Sequence, residues 1–181
     1  MSTITTTAAT TTTLRTATPQ DTPAIQALYP LAFPEEDLLP LLSDLFGRDD
    51  VLSRIATDTG TLTGHAALTT CQLDVTGTPV GLLGPLAIAP EHQRKGIGTL
   101  IVEDILARAR EAGHARVFVL GDPAYYGRFG FTAETDVAPP HALPPEWAGA
   151  WQSQRTGQDP ADLSGTLQVP PPWRPRSLWA P

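Results

Sequence analysis

The sequence has little of several features that would assign a function class directly. A single cysteine, Cys71, stands among 181 residues, which excludes an internal disulfide framework and a cysteine-rich zinc site and predicts a small buried side chain. No apolar run reaches the roughly 18 residues of a membrane span, and the N-terminus resembles neither a signal nor a transit peptide. No His, Asp or Glu cluster has the spacing of metal ligands. These absences predict a cytoplasmic protein with no membrane partner and no bound metal.

Positive charge is also scarce. The chain has 12 Lys and Arg against 19 Asp and Glu, a formal net charge of −7. Such a surface does not attract nucleic acid or anionic lipid, so no nucleic-acid partner is expected and any anion site must be built locally. The length and the 41% hydrophobic content fit one globular domain with tails.

Three regions differ in composition. Residues 1–12 are rich in threonine and predict a disordered leader, and residues 13–137 hold the periodic segments of a folded core. Residues 138–181 are crowded with proline and carry all four tryptophans, with an alternating pattern near 163–169 that predicts a final strand. Because a disordered tail rarely carries so much aromatic surface, we expect this segment to pack on the body or on a partner subunit.

Periodicity and capping residues predict the elements of the core. Thr18-Pro19 starts a first helix with an apolar face at Ile25, Leu28 and Tyr29, and Gly47 ends a second. The predicted elements are strands at 14–18, 51–58, 61–75, 80–89 and 116–120, and helices after residue 19, at 38–46 and at about 99–112. A helix separates the last two strands, which predicts that they are parallel neighbours joined by a right-handed crossover.

A basic glycine loop, Gln93-Arg94-Lys95-Gly96-Ile97-Gly98, follows an apolar strand and precedes the helix at 99–112. Its glycines allow a close approach of the backbone, and the unpaired N–H groups of a helix N-terminus favour an anion such as a pyrophosphate. A P-loop would need Lys and Ser/Thr after a second glycine. A dinucleotide fingerprint would need a third glycine where Ile101 stands. Both nucleotide interpretations therefore fail.

The loop and a second motif resemble the GNAT superfamily of N-acetyltransferases, in particular its small bacterial-type members. The first motif consists of Leu86, Ala87, Ile88, Pro90, Gln93, Gly96 and Gly98, and the second runs from Tyr126 to Gly130-Phe131. This resemblance implies an α+β fold with three layers, α/β/α. Its central sheet would be mixed and mostly antiparallel, with a parallel, splayed pair of strands at the acyl-CoA site.

The resemblance also implies a chemistry and a set of residues. Acetyl-CoA would be the acyl donor, and an acyl group would pass to a primary amine by direct attack. Tyr126 would protonate the departing thiolate, with Tyr125 as the rival for that role. The residues implied to bind the coenzyme are Leu86, Ala87 and Ile88 along the pantetheine arm, Gln93, Arg94, Lys95, Gly96, Ile97, Gly98 and Thr99 at the pyrophosphate, and Asp122, which could equally cap a helix.

The acceptor is the least defined part of the prediction. Glu35 and Glu36 precede the second helix, where the family places its acceptor pocket, and they could attract a small-molecule or protein amine; the alternative is a solvated helix start. His65, His92 and His114 are isolated, which favours structural roles. The main alternative to an enzyme is a non-catalytic acyl-CoA sensor or assembly module, and the resemblance also allows a homodimer.

Overall fold

The computed structural model describes residues 12–157 and 163–179, and one mixed sheet runs through them. The strands are β1 (Thr12–Thr16), β2 (Val51–Asp58), β3 (Thr61–Leu73), β4 (Pro79–Ile88), β5 (Arg116–Leu120), β6 (Thr132–Ala133), β7 (Val137–Ala138), β8 (Trp151–Arg155) and β9 (Gly165–Gln168). The helices are α1 (Thr22–Ala32), α2 (Leu39–Leu45), α3 (Ile97–Glu111) and α4 (Pro123–Tyr126). The predicted strands and helices of the core are confirmed, with some ends displaced by a residue or two. The predicted leader lies outside the described residues except for Thr12, which begins β1.

The sheet has the order β1-β2-β3-β4-β5-β8-β6, and β9 pairs with β3 and β7 off this path. Strands β1 to β4 form an antiparallel meander, while β4 and β5 are parallel. That parallel pairing covers only Gly81 with Val117 and Leu82 with Phe118. The two strands then separate towards their carboxyl ends, which opens a gap in the middle of the sheet. The implied mixed sheet with a parallel, splayed pair is therefore confirmed.

Two apolar layers enclose the sheet. Helix α3 buries Ile101, Val102 and Ile105 on one face, on the side that its periodicity predicted. Helices α1 and α2 and the tryptophan-rich C-terminal segment cover the other face, where Trp151, Trp173 and Trp179 are buried. Each indole N–H donates a hydrogen bond: Trp151 to Val137 O, Trp173 to Thr69 Oγ1 and Trp179 to Trp173 O. The expectation that this segment packs on the body is confirmed.

Strand β8 was not predicted from the sequence. It lies beside β5 in the sheet and pairs Trp151 with Leu120 and Arg155 with Arg116. Its polar residues are buried because other elements satisfy them: Gln152 Nε2 donates to Gly121 O at 2.9 Å, and Ser153 Oγ donates to Glu134 at 2.5 Å. Residues after 138 thus contribute a strand to the main sheet as well as the predicted final strand, β9.

Cys71 lies on β3 and is 3% exposed, as predicted for a small buried side chain. Its Sγ faces Thr69 O at 3.7 Å. Burial raises the pKa of the thiol to about 12, because the anion cannot be solvated there. The thiol therefore stays protonated in the folded protein at neutral pH.

None of the helices within the described ranges combines the length and the apolar character that crossing a membrane requires.

Candidate active site

The gap between β4 and β5 exposes backbone groups of β4. Ala89 N donates to Thr63 O at 2.9 Å, so Thr63 and Ala89 form a hydrogen-bonded pair of the β3–β4 ladder. Such pairs alternate with non-bonded pairs in an antiparallel ladder, so Ala87 directs its N–H and C=O to His65 of β3. Leu86 and Ile88 direct theirs the other way, into the gap. Of the three β4 residues in the implied coenzyme set, these two can therefore offer backbone hydrogen bonds there.

The basic loop closes the carboxyl end of this gap. Gln93 Nε2 donates to Ile88 O at 3.2 Å and ties the loop to β4. Arg94 has φ +60° and Gly96 has φ +83°, the left-handed conformation in which consecutive N–H groups form anion-binding concavities. A non-glycine residue in this conformation carries strain, which is common at ligand sites. The exposed side chains of Arg94 and Lys95 place two positive charges on the same loop.

Helix α3 begins at Ile97, two residues before the predicted start. Its first N–H groups, on Ile97, Gly98 and Thr99, have no carbonyl partner within the helix and therefore point out of its N-terminus. The Ile97 side chain is buried in the core, so only its backbone is available to a ligand. The positive end of the α3 dipole adds to the charge of the loop. The residues predicted to hold a pyrophosphate therefore lie together at one helix N-terminus.

Tyr125 and Tyr126 follow β5 on α4, across the gap from β4. Their rings are 4.9 Å apart in an edge-to-face arrangement. The Tyr125 hydroxyl lies directly over Gly98, where any side chain would collide with it, and Arg128 stacks on the Tyr125 ring at 4.3 Å. Tyr126 is buried, and its ring packs against Gly121. Tyr125 thus contacts the basic loop, and Tyr126 lies deeper in the protein.

The surroundings of Tyr126 keep its phenol protonated. Burial and then the neighbouring Tyr125 raise the pKa of Tyr126 well above its usual value. Asp122 caps α4, since its Oδ1 accepts a hydrogen bond from Ala124 N at 2.8 Å. The cap fixes the start of the helix that carries both tyrosines.

A cleft of about 320 Å³ lies between the end of α1 and the start of α2. Glu35 and Glu36 are exposed at its rim, and Tyr29 and Phe33 contribute to its wall. Asp37 is used locally, because its Oδ1 accepts the backbone N–H of Leu39 at 3.1 Å. The two glutamates predicted to meet an acceptor therefore do line a cleft.

A buried hydrogen-bond chain was missed by sequence reasoning. Tyr29 Oη lies 2.7 Å from His65 Nδ1, and His65 Nε2 lies 2.7 Å from Ser53 Oγ. The Tyr29 hydroxyl also donates to Pro85 O of β4 at 3.2 Å. Burial, and to a lesser degree Tyr126, raises the pKa of Tyr29 well above its usual value. The sequence indicates only an isolated histidine at position 65, because the partners of His65 are distant along the chain.

Two of the other histidines, His92 and His114, also have polar neighbours. His92 lies 3.6 Å from Glu91 in the turn before the loop. His114 Nε2 lies 3.0 Å from Thr70 Oγ1 on the α3 face. Among the described residues, no group of three or more His, Cys, Asp or Glu side chains is placed to hold a metal ion.

The burial of His65 predicts a stability that falls on mild acidification. Burial lowers the pKa of His65 to about 3. Below pH 6.5, His65 is therefore protonated in the unfolded chain but stays neutral in the folded protein. The free energy of unfolding should fall by about 1.5 kcal/mol from this residue between pH 6.5 and pH 5. Chemical denaturation across this range measures the slope.

The control is the variant His65→Gln. Its absolute stability will also change, so the quantity compared with the wild-type protein is the slope of the free energy of unfolding against pH. Burial lowers the pKa of His114 too, so part of the slope should remain in the variant. The carboxylates with lowered pKa values, such as Glu134, lose their contribution only at more acidic pH. A slope that His65→Gln leaves unchanged would contradict the assignment.

Comparisons with known proteins agree with this geometry. Residues 22–131 match the acetyltransferase (GNAT) family. The chain is 34% identical over 155 residues to YhbS of Escherichia coli K12, an uncharacterized N-acetyltransferase, covering 81% of this chain and 88% of the relative. It is 29% identical over 143 residues to YjhQ, an uncharacterized N-acetyltransferase of the same strain, covering 76% and 79% of the two chains.

Solved structures have the same fold. The crystal structure of E. coli YhbS in complex with CoA matches with a TM-score of 0.84 and 26% identity, over 94% of this chain and 96% of the other. A GNAT acetyltransferase of Brucella melitensis, solved in complex with acetyl-CoA, matches with a TM-score of 0.74 and 24% identity, over 91% and 99%.

Proposed function

Since this chain belongs to the GNAT family of acetyltransferases, we propose that it transfers the acetyl group of acetyl-CoA to a primary amine, with Tyr126 as the general acid. The single observation that carries the proposal is the arrangement around the gap. The backbone edge of β4 that faces away from β3 lies on one side, and a buried, protonated tyrosine follows the strand on the other.

The coenzyme would lie along the gap. Its pyrophosphate would bind the N–H groups of Gly96, Ile97, Gly98 and Thr99, with charge from Arg94 and Lys95. The pantetheine arm would then pair with Leu86 and Ile88 as an added strand. The solved CoA complex of YhbS supports this donor, because that relative shares the fold over nearly its whole length.

The transfer then needs three events at the thioester. The amine nitrogen attacks the carbonyl carbon, and the Leu86 N–H stabilises the negative charge that develops on oxygen. The C–S bond breaks as Tyr126 donates its proton to the sulfur, giving free CoA and the amide. An ammonium acceptor must first lose one proton to water at the acidic rim of the cleft, which frees the lone pair for the attack. The nitrogen loses its second proton to water as the amide forms, and Tyr126 recovers a proton from solvent.

The acceptor would enter through the cleft between α1 and α2. Its rim carries Glu35 and Glu36, which attract an ammonium group, and the aromatic side chain of Phe33 offers an apolar wall. The net acidic charge of the chain acts in the same direction. We therefore propose a cationic amine, either a small molecule or the amino group of a protein.

Calorimetric titration with acetyl-CoA, CoA and NAD tests the coenzyme part of this proposal. We expect the two CoA species to bind and NAD not to bind, because the loop lacks the dinucleotide motif. Loss of thioester is then followed over a panel of primary amines. Absence of CoA binding would contradict the proposal, whereas CoA binding without turnover on any amine would favour the acyl-CoA sensor.

A further inference from the structure

A bulge interrupts β4 beside the proposed reaction centre. Ala66 of β3 faces Leu86, but Leu68 faces Leu83, so Gly84 and Pro85 together stand opposite a single β3 residue. A bulge removes a carbonyl from the regular ladder, and that carbonyl needs another donor. Pro85 O has one, since it accepts the hydrogen bond of the Tyr29 hydroxyl at 3.2 Å.

The phenol of Tyr29 is itself held in place. Tyr29 and His65 are each 1% exposed, and the low pKa of His65 keeps the imidazole neutral, with one N–H and one acceptor nitrogen. With the Tyr29 proton directed to Pro85 O, the phenol oxygen accepts from His65 Nδ1–H, which is the tautomer that leaves Nε2 as an acceptor. His65 Nε2 then accepts from Ser53 Oγ–H at 2.7 Å. The hydroxyl of Ser53, the imidazole N–H of His65 and the hydroxyl of Tyr29 then each donate one hydrogen bond to the next group, and the last acceptor is Pro85 O.

The consequence falls on the next peptide group. Pro85 C=O and Leu86 N–H belong to one planar trans peptide, so they point in opposite directions. A donor that fixes the carbonyl towards α1 therefore fixes the N–H away from α1. As the ladder of β3 and β4 also indicates, the Leu86 N–H points into the gap.

We propose that Tyr29 is a positioning residue: by holding Pro85 O, and held in turn by His65 and Ser53, it aims the Leu86 N–H at the carbonyl oxygen of the bound thioester. This inference rests on the proposed function, because it needs acetyl-CoA in the gap. It gives the buried hydrogen-bond chain a role in polarising the thioester carbonyl. A hydrogen-bond donor polarises a carbonyl most effectively when its position is fixed before the reaction begins. In this arrangement the Tyr29 hydroxyl touches neither the thioester nor the reacting atoms, although Tyr29 also contributes to the wall of the acceptor cleft.

The test is infrared spectroscopy of acetyl-CoA labelled with carbon-13 at the acetyl carbonyl. Bound to the wild-type protein, the carbonyl stretch should lie below its position in free acetyl-CoA, because a hydrogen bond weakens the C=O bond. In Tyr29→Phe the band should move back towards the free position. The affinity for acetyl-CoA should change by less than about threefold, because the pyrophosphate loop is untouched.

Two variants keep the test decisive. Ser53→Ala removes the first donor of the hydrogen-bond chain and should give a smaller displacement of the band in the same direction. This variant keeps the proposal testable even if Tyr29→Phe does not fold. The matched control is Thr63→Val, which removes another buried hydroxyl from the same sheet. Its hydrogen bond to Ala56 O has the same 3.2 Å length as the one from Tyr29 to Pro85 O. This control should keep the wild-type band.

The outcomes separate the two proposals. If the wild-type protein binds no acetyl-CoA, the proposed function fails. If it binds acetyl-CoA and lowers the band, but Tyr29→Phe and Ser53→Ala leave the band unchanged, the positioning role is overturned. With an acceptor in hand, Tyr29→Phe should also lower kcat about tenfold at an unchanged KM for acetyl-CoA, the split expected when only transition-state stabilisation is lost.

Discussion

Replacing Tyr126 by phenylalanine is expected to lower kcat by about 100-fold or more while the affinity for acetyl-CoA stays within about threefold. The phenyl ring would keep the packing against Gly121 and Phe131, so the local fold should persist. Only the proton that neutralises the departing sulfur would be missing. Steady-state kinetics with a saturating amine, together with a titration of the coenzyme, measure the two quantities separately.

The matched control is Tyr125→Phe, in the adjacent ring. Because the Tyr125 hydroxyl lies over Gly98 of the loop, this variant should change coenzyme affinity more than kcat. A larger loss of kcat in Tyr125→Phe than in Tyr126→Phe would mean that Tyr125, and not Tyr126, is the general acid. The raised pKa of Tyr126 adds a second expectation: deprotonation of the acid should cause no loss of wild-type rate up to about pH 10.

Replacing Gly98 by valine should weaken the binding of acetyl-CoA and of CoA by at least about 100-fold, or about 3 kcal/mol. A β-carbon at this position would collide with the Tyr125 hydroxyl, and the isopropyl group would also stand over the N–H groups proposed to hold the pyrophosphate. Isothermal titration with CoA measures the loss without needing an acceptor. An unchanged affinity would remove the basis for placing the coenzyme at this loop.

Two further variants separate the causes. In the double variant Gly98→Ala with Tyr125→Phe, the colliding hydroxyl is gone. Any loss of affinity beyond that of Tyr125→Phe alone therefore comes from the methyl group at the ligand site. Gly149→Val is the glycine control, because its β-carbon would meet no atom within 4 Å and its φ is not in the left-handed region. It should bind CoA as the wild-type protein does.

The sequence was a good guide where the structure depends on local patterns. The apolar stripe of α3 could be read because its face repeats every turn, and the parallel pairing of β4 and β5 follows from the helix between them. The basic loop could be located because glycine, charge and a helix start are adjacent in the chain. The left-handed conformation of Arg94 could not be predicted, because arginine is not a residue type that favours this conformation.

Strand β8 shows why other parts could not be predicted. Its residues Gln152 and Ser153 are polar and yet buried, so the strand lacks the alternation that identifies a half-buried strand. Their burial is permitted by Gly121 and Glu134, which are distant in sequence and become partners only in the folded sheet. The hydrogen-bond chain of Tyr29, His65 and Ser53 escaped prediction for the same reason, because α1, β3 and β2 each contribute one residue.

Cys71 has a practical consequence for every assay described above. A thiol with a pKa near 12 and 3% exposure reacts with disulfide reagents only when the protein opens. CoA released during turnover can therefore be titrated continuously with a coloured disulfide while the folded enzyme remains unlabelled. Cys71 is also the only cysteine in the sequence. In the absence of substrate, the rate at which its thiol is modified therefore measures how often each variant opens far enough to expose β3.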